Sequence, residues 1–144
     1  MISELLTKIS KEEVSEIQEE LVELYKMELL SRKVYFEQIR KLDGVIVETL
    51  KILLEQETEH ANTLIKILAK NFYKEKKEEY SYFNADNNLI KAVNFDLVLE
   101  EDATKKYEQT IKKSSSENLK KILTHILEEE FNHIKRLEKF VGKK

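Results

Sequence analysis

Two short motifs recur along the chain, and each places charged side chains on the apolar face of a helix. The motif Glu-x-x-His-x-x-x-Leu occurs at Glu57 and again at Glu130. Residues three and four positions apart share one face of a helix, so each Glu and His falls in the same stripe as leucines and isoleucines. A buried carboxylate needs a compensating partner. The chain must therefore fold so that these polar side chains meet one another.

The second motif is Glu, six residues, Tyr, three residues, Ile. It occurs at Glu28 with Tyr35 and again at Glu100 with Tyr107. The two copies of this motif are 72 residues apart, and the two copies of the first motif are 73 residues apart. This internal repeat predicts two copies of a helical hairpin that pack around a pseudo-twofold axis.

The amino-acid composition restricts which fold classes and which kinds of function the chain can have. The 144 residues contain no proline and only two glycines, while 41% are hydrophobic and 37% are charged, which favours long helices in one domain spanning residues 1–144. The absence of cysteine excludes disulfides and thiolate metal sites. A net charge of −3 with interspersed charges does not fit nucleic-acid binding. We expect a cytoplasmic protein, because neither a signal-peptide profile nor a membrane-length apolar run is present.

Four helical segments follow from the apolar periodicity and from local start and stop signals. Ser10 with Glu13 and Ser114 with Glu117 have the spacing of capping boxes. Gly44 suits a left-handed cap that ends the first helix. The predicted helices span about 11–42, 45–71, 88–113 and 117–141, with Gly142 ending the last.

The long connection after the second predicted helix decides the topology. Residues 72–87 break the helical period, and about 16 extended residues could recross a helix of about 30 Å. The prediction is an all-α four-helix bundle of two helical hairpins. The segment, with or without a short helical turn, could be the long crossover of a ferritin-like bundle rather than a simple turn.

The inward polar groups of such a bundle are four carboxylates and two imidazoles. One Glu from each of two helices and one Glu-x-x-His from each of the others is the ligand set of di-iron and di-manganese carboxylate bundles. Four carboxylates supply about −4 and two divalent cations about +4, so the buried charges would cancel. Oxygen and imidazole donors suit iron or manganese.

From about Lys11 to Val141, these motifs resemble the ferritin-like superfamily, and most closely its rubrerythrin-related branch without the rubredoxin domain. The resemblance implies two bound Fe ions, with Mn or a mixed Fe/Mn pair as alternatives. It also implies terminal carboxylate ligands, bridging carboxylates, one histidine on each metal, and tyrosines that orient the ligand carboxylates. By this resemblance, Glu28 and Glu100 would be the terminal ligands, and Glu57 and Glu130 the bridging carboxylates. His60 and His133 would each bind one metal, and Tyr35 and Tyr107 would orient the ligand carboxylates.

Two departures from the rubrerythrin pattern bear on function. The missing cysteines imply a separate electron-donor protein. Rubrerythrins carry an extra carboxylate on the third helix, but the position one turn after Glu100 is Ala103, and Glu101 and Asp102 point elsewhere. Tyr35 and Tyr107 could also be core aromatics whose hydroxyls meet a carboxylate.

The resemblance implies an oxidoreductase that acts on hydrogen peroxide or dioxygen, in which two ferrous ions reduce peroxide by two electrons in oxidative-stress defence. The alternatives are an iron-binding or ferroxidase-type protein without turnover, and a bundle that binds no metal. Homodimerisation is also expected, as is common in this family.

Several other polar and aromatic residues have simpler interpretations. His125 is expected to be a solvated residue flanking the core beside Glu129, with a proton relay as the alternative. Glu128 and Glu129 are expected on the solvent face, with Glu129 as a ligand only if the helix rotates. In the crossover, Tyr80, Tyr82 and Phe83 are predicted to form a satellite cluster over the bundle or a dimer contact.

Overall fold

The computed structural model describes residues 1–75 and 83–142, and within them every regular element is a helix. The helices are α1 (Ile2–Thr7), α2 (Lys11–Glu16), α3 (Gln18–Lys41), α4 (Val45–Ala69), α5 (Leu89–Lys113) and α6 (Glu117–Glu138). The four long helices α3 to α6 correspond to the four predicted segments. The all-α prediction is therefore confirmed.

The first predicted helix is interrupted, which the periodicity did not indicate. The backbone leaves the helical region at Ile17, with φ −128° and ψ 28°, and separates α2 from α3. The Ile17 side chain is fully buried. Glu16 accepts hydrogen bonds from the backbone N–H and the hydroxyl of Ser115 in the α5–α6 loop, at 2.6 and 3.0 Å. The break therefore directs α2 onto a loop that is distant in sequence.

The two predicted capping boxes had different outcomes. At α2, Ser10 Oγ accepts from the Glu13 N–H at 3.1 Å, and Glu13 Oε1 accepts from the Ser10 N–H at 2.9 Å, as predicted. At α6 the prediction was wrong, because the N-cap is Ser116, whose Oγ accepts from the Leu119 N–H at 3.2 Å. Ser114 Oγ instead accepts from the Ser116 N–H at 3.1 Å.

Short turns join the helices within each hairpin. Between α3 and α4, Gly44 has φ +92°, a conformation that L side chains rarely adopt. The predicted left-handed cap was wrong, because Gly44 has ψ −158°, which lies outside the left-handed helical region, and it is the N-cap of α4, while Leu42 is the C-cap of α3. Gly142 also has a positive φ, and it follows the last turn after α6.

Contacts between the hairpins show that α3 and α5 run antiparallel. Lys113 at the end of α5 pairs with Glu20 near the start of α3, at 2.8 Å. Tyr35, later in α3, reaches Glu100, which is earlier in α5. Because α3 is also antiparallel to α4, helices α4 and α5 run parallel, and the connection between them must recross the bundle. The predicted hairpin pair with a long crossover is confirmed.

Of the three aromatic residues predicted to cluster in the crossover, Phe83 lies within the described residues. Phe83 packs against the core near the α3–α4 turn and stacks on Phe95, with ring centroids 5.5 Å apart. This agrees with an aromatic cluster over the bundle. Tyr80 and Tyr82 lie outside the described residues.

Two separate clusters of buried apolar side chains fill the bundle. One lies toward the α5–α6 loop and includes Leu24, Leu64 and Ile122. The other lies toward the α3–α4 turn and includes Leu53 and Leu137. Buried polar residues occupy the layer between these clusters. Apolar packing on both sides therefore separates that polar layer from solvent.

The outer faces of the helices are rich in charge, with ion pairs such as Lys106 to Glu23 at 2.7 Å. Across residues 1–75 and 83–142, none of the helices has the length and apolar character needed to cross a membrane.

Truncation of one side chain next to the polar layer should destabilise the bundle. Leu53 is fully buried, so Leu53→Ala should lower the free energy of unfolding by about 2–5 kcal/mol through lost burial and a residual cavity. Urea denaturation of the metal-free protein measures this change. Ile52, its neighbour, is 41% exposed, and Ile52→Ala should cost about 1 kcal/mol or less. Equal losses for the two variants would contradict the assigned orientation of α4.

Candidate metal centre

All six predicted ligand residues lie in the polar layer, and none is more than 2% exposed. The spacing of three residues places the Glu and His of each Glu-x-x-His motif on one face of their helix. The four helices contribute Glu28 from α3, Glu57 and His60 from α4, Glu100 from α5, and Glu130 and His133 from α6. The structure thus brings together side chains that are up to 105 residues apart.

The six side chains form two overlapping groups of four. In each group, one potential ligand atom from every residue lies within 4.8 Å of the others. We call Glu28, Glu57, His60 and Glu130 the His60 half-site, and Glu57, Glu100, Glu130 and His133 the His133 half-site. Glu57 and Glu130 belong to both groups. This is the arrangement in which two carboxylates can each contact two cations.

Both imidazoles point Nδ1 into the cluster. His60 Nδ1 lies 2.8 Å from Glu130 Oε1 and 2.9 Å from Glu28 Oε2. His133 Nδ1 lies 3.2 Å from Glu57 Oε1 and 3.4 Å from Glu100 Oε2. The two rings are stacked, with centroids 6.0 Å apart and planes 22° apart. The two half-sites therefore repeat the same geometry, as the sequence repeat indicates.

The outward nitrogens of the two histidines have different partners. His60 Nε2 lies 3.1 Å from Glu129 Oε1, and His133 Nε2 lies 2.6 Å from Gln56 Oε1. Such contacts fix the orientation of a ligand imidazole. The solvent-face prediction for Glu129 was wrong, because the residue before Glu130 turns toward α4 and its side chain is only 26% exposed.

Sequence reasoning also missed Gln56, although a signal was present. Gln56 and Glu129 each stand one residue before the Glu of a Glu-x-x-His motif, so the repeat relates them. His125 lies where it was predicted: it is half-exposed, with Nε2 at 3.2 Å from Glu129 Oε1.

The two tyrosines differ in their contacts. Both are fully buried, and the Tyr35 hydroxyl donates a hydrogen bond to Glu100 Oε1. The Tyr107 hydroxyl has no hydrogen-bond partner among the described residues. Burial, and then the negative charge of Glu28, raise the pKa of Tyr107 well above its ordinary value. The predicted tyrosine–carboxylate hydrogen bond is therefore present at one of the two positions.

A further buried carboxyl, Asp96, lies one turn before Glu100 and was not anticipated. Gln38 Nε2 donates to Asp96 Oδ1 at 2.7 Å and to the Ala92 carbonyl oxygen at 3.5 Å. Burial raises the pKa of Asp96 to about 8. The sequence did contain a signal for its burial, because Asp96 lies four residues before Glu100 and so shares its helix face. On the other side of Glu100, Ala103 is buried as predicted, and its neighbours Glu101 and Asp102 are exposed.

Burial and mutual repulsion alter the ionisation of the cluster. Burial, together with Glu130 and Glu57, raises the pKa of Glu28 well above its ordinary value. Burial and the neighbouring carboxylate likewise raise the pKa of Glu100 to about 8 and that of Glu130 to about 7. Burial would also raise the pKa of Glu57, but close contacts with the imidazoles of both histidines help to bring it below the usual value.

The histidines carry much of the compensating charge when no metal is bound. Burial opposes protonation of His133, but close contacts with the carboxylates of Glu100 and Glu57 raise its pKa to about 11. Burial also opposes protonation of His60, but contacts with four carboxylates raise its pKa well above the ordinary value. Both oxygens of Glu28, Glu57 and Glu130 are nevertheless buried without a well-formed hydrogen bond within the described part of the chain. These unsatisfied oxygens and the inward Nδ1 atoms fit a pair of divalent cations.

The metal-free protein should lose stability as the pH rises from about 6 to 8. In the folded state Asp96, Glu100 and Glu130 have pKa values of about 7 to 8, against 3.8 or 4.5 when unperturbed. Folding therefore takes up protons in this range, and each group lowers the unfolding free energy by up to about 1.4 kcal/mol per pH unit. His133 acts in the same direction above 6.5. Urea denaturation with a chelator at several pH values measures the slope.

Asp96→Asn provides the matched comparison for that slope, since it keeps the shape but cannot titrate. Its unfolding free energy should fall less steeply than that of the original protein. Glu57, whose pKa is lowered, matters only below 4.5 and does not affect this range. Stability that rises between pH 6 and 8 in the metal-free protein would contradict the assigned burial of the carboxyls.

Comparison with known proteins identifies the fold family. A family model described as Rubrerythrin matches residues 19–141 and so covers α3 to α6 with every residue of the cluster. No curated protein and no solved structure gives a significant match. The match to the family model covers well over half of the chain and confirms the resemblance read from the two motifs. The chain therefore belongs to the rubrerythrin family, within the ferritin-like superfamily.

Proposed function

We propose that the protein binds two iron ions and is an oxidoreductase that reduces hydrogen peroxide or dioxygen. The observation that carries the proposal is the pair of overlapping four-residue groups that share Glu57 and Glu130. The shared carboxylates would contact both ions, and Glu28 and Glu100 would each bind one. Mn or a mixed pair fits the same oxygen and nitrogen donors.

The protein's own groups would position the ligands and exclude water. When bound, the metal pair would supply two electrons to the oxidant. The Tyr35 hydroxyl donates a hydrogen bond to Glu100 Oε1 and so fixes the orientation of that carboxylate. Glu129 and Gln56 fix the two imidazole rings from outside. The apolar clusters on both sides keep bulk water from the carboxylates.

Burial limits the substrate to a small molecule. The six residues are at most 2% exposed, so a large organic substrate could not reach them without rearrangement. Hydrogen peroxide and dioxygen are small enough to enter between side chains. Because the chain has no cysteine for an iron–sulfur or rubredoxin-type centre, electrons would come from a separate donor protein.

One observation favours a second candidate function, which is iron binding or ferroxidase-type iron handling without peroxide turnover. Ala103 occupies the position where the extra carboxylate of rubrerythrins is expected, and its side chain is buried with nothing to offer a metal. The six-residue cluster would still bind and oxidise iron in this case. The two candidates differ in the oxidant that reacts rapidly with the loaded site.

Metal content and reactivity test both candidates. Protein loaded anaerobically with ferrous iron should contain about two iron ions per chain. A rapid absorbance change with peroxide but little with air would support the peroxide-reducing enzyme. Rapid oxidation by air would support the ferroxidase-type function. Failure to bind either iron or manganese would refute both candidates.

Metal binding should stabilise the fold through the shared carboxylates. For each ion bound, with free metal at 100 times the dissociation constant of that site, the loaded protein should gain about 2.7 kcal/mol over the metal-free protein, which appears as a higher melting temperature. Glu57→Ala should remove most of this gain, since Glu57 belongs to both half-sites. Glu55→Ala is the matched control, because Glu55 is exposed on the same helix. Equal melting with and without metal would count against a buried metal pair.

A further inference from the structure

We infer that the two half-sites are not equivalent: the His60 half-site binds its divalent cation first and more tightly, and Glu129 is the positioning residue responsible. This inference rests on the proposed metal pair and concerns the order in which it is loaded. The repeated geometry of the ligand residues would predict equal affinities. The difference comes from the residues that contact the ligands from outside.

The first difference is the partner of each outward imidazole nitrogen. His60 Nε2 faces the carboxylate of Glu129 at 3.1 Å, whereas His133 Nε2 faces the neutral amide oxygen of Gln56 at 2.6 Å. The Glu129 side chain is 26% exposed and also contacts His125, so its carboxylate is ionised at neutral pH. An anionic acceptor makes the imidazole a more basic ligand than a neutral acceptor does. The cation bound through His60 is therefore held more strongly.

The second difference lies in the terminal carboxylates and acts in the same direction. Glu100 Oε1 accepts a hydrogen bond from the Tyr35 hydroxyl, which withdraws electron density from a ligand of the His133 half-site. Neither oxygen of Glu28 accepts a hydrogen bond from a described residue outside the cluster, and the Tyr107 hydroxyl nearby makes none. Glu28 is thus the stronger donor of the two.

One group could act in the opposite direction. Asp96 lies one turn before Glu100, and a negative charge there would favour a cation in the His133 half-site. It is fully buried, and Gln38 Nε2 donates a hydrogen bond to its Oδ1 at 2.7 Å. Asp96→Asn separates its contribution experimentally.

Stepwise binding of Mn²⁺ to the full chain tests the inference. Isothermal titration gives the two affinities, and electron paramagnetic resonance distinguishes one isolated ion from a coupled pair. Glu129→Gln should weaken the first step by about 10 to 100 fold, the usual effect of losing such an outer partner. Glu128→Gln is the matched control, because this neighbour is exposed and carries the same charge. Both the control and Asp96→Asn should leave the order of loading unchanged.

The affinity of the first binding step distinguishes equivalent from non-equivalent half-sites. Two separate binding steps alone do not, because two bound cations repel each other even when the half-sites are equivalent. If the half-sites were equivalent, Glu129→Gln would send the first ion to the His133 half-site. The first affinity would then change by only a small statistical factor, and the second would fall. That result would overturn the inference.

A second variant keeps the test decisive if Glu129→Gln folds poorly. Gln56→Glu gives His133 a carboxylate partner, so it should strengthen the second step and leave the first within a few fold. A strengthened first step and an unchanged second step would overturn the inference. Absence of any Mn²⁺ or Fe²⁺ binding in the original protein would instead refute the proposed function.

Discussion

Four carboxylates buried in one layer are the constraint on which the rest of the structure depends. Glu28, Glu57, Glu100 and Glu130 repel one another, and apolar packing on both sides prevents solvent from screening them. Without metal, retained protons and two charged imidazoles compensate for part of this charge. A pair of divalent cations would compensate for it completely. Protons or cations in this layer therefore stabilise the fold, and the donor types suit a metal pair.

The helix arrangement follows from the need to bring these groups to one depth. Antiparallel pairing of α3 with α4 and of α5 with α6 places the ligand residues near the middle of each helix. The crossover makes α4 and α5 parallel, which sets Gln56 beside His133 and Glu129 beside His60. The contacts that orient the histidines therefore depend on the topology as much as on the motifs.

Helical periodicity was sufficient to predict the four long helices and the six clustered residues, because buried polar residues at regular spacing leave little choice of partner. Features set by distant contacts could not be predicted. The break at Ile17 depends on the contact of Glu16 with Ser115. The N-cap of α6 depends on which of three consecutive serines accepts the hydrogen bond from the first turn of the helix. The inward turn of Glu129 depends on the rotation of α6 against α4. The spacing of Asp96 from Glu100 indicated that Asp96 could be buried. Nothing in the sequence showed that Gln38 would donate a hydrogen bond to its carboxyl group.

Neither hairpin contains all four residues of either half-site. Each group of four draws side chains from both hairpins, since His60 needs Glu130 and His133 needs Glu57. A bound pair of ions would therefore act as a reversible cross-link between the two halves of the chain. While the ions remained bound, the two hairpins would be joined through them as well as through the peptide connection at residues 70–88.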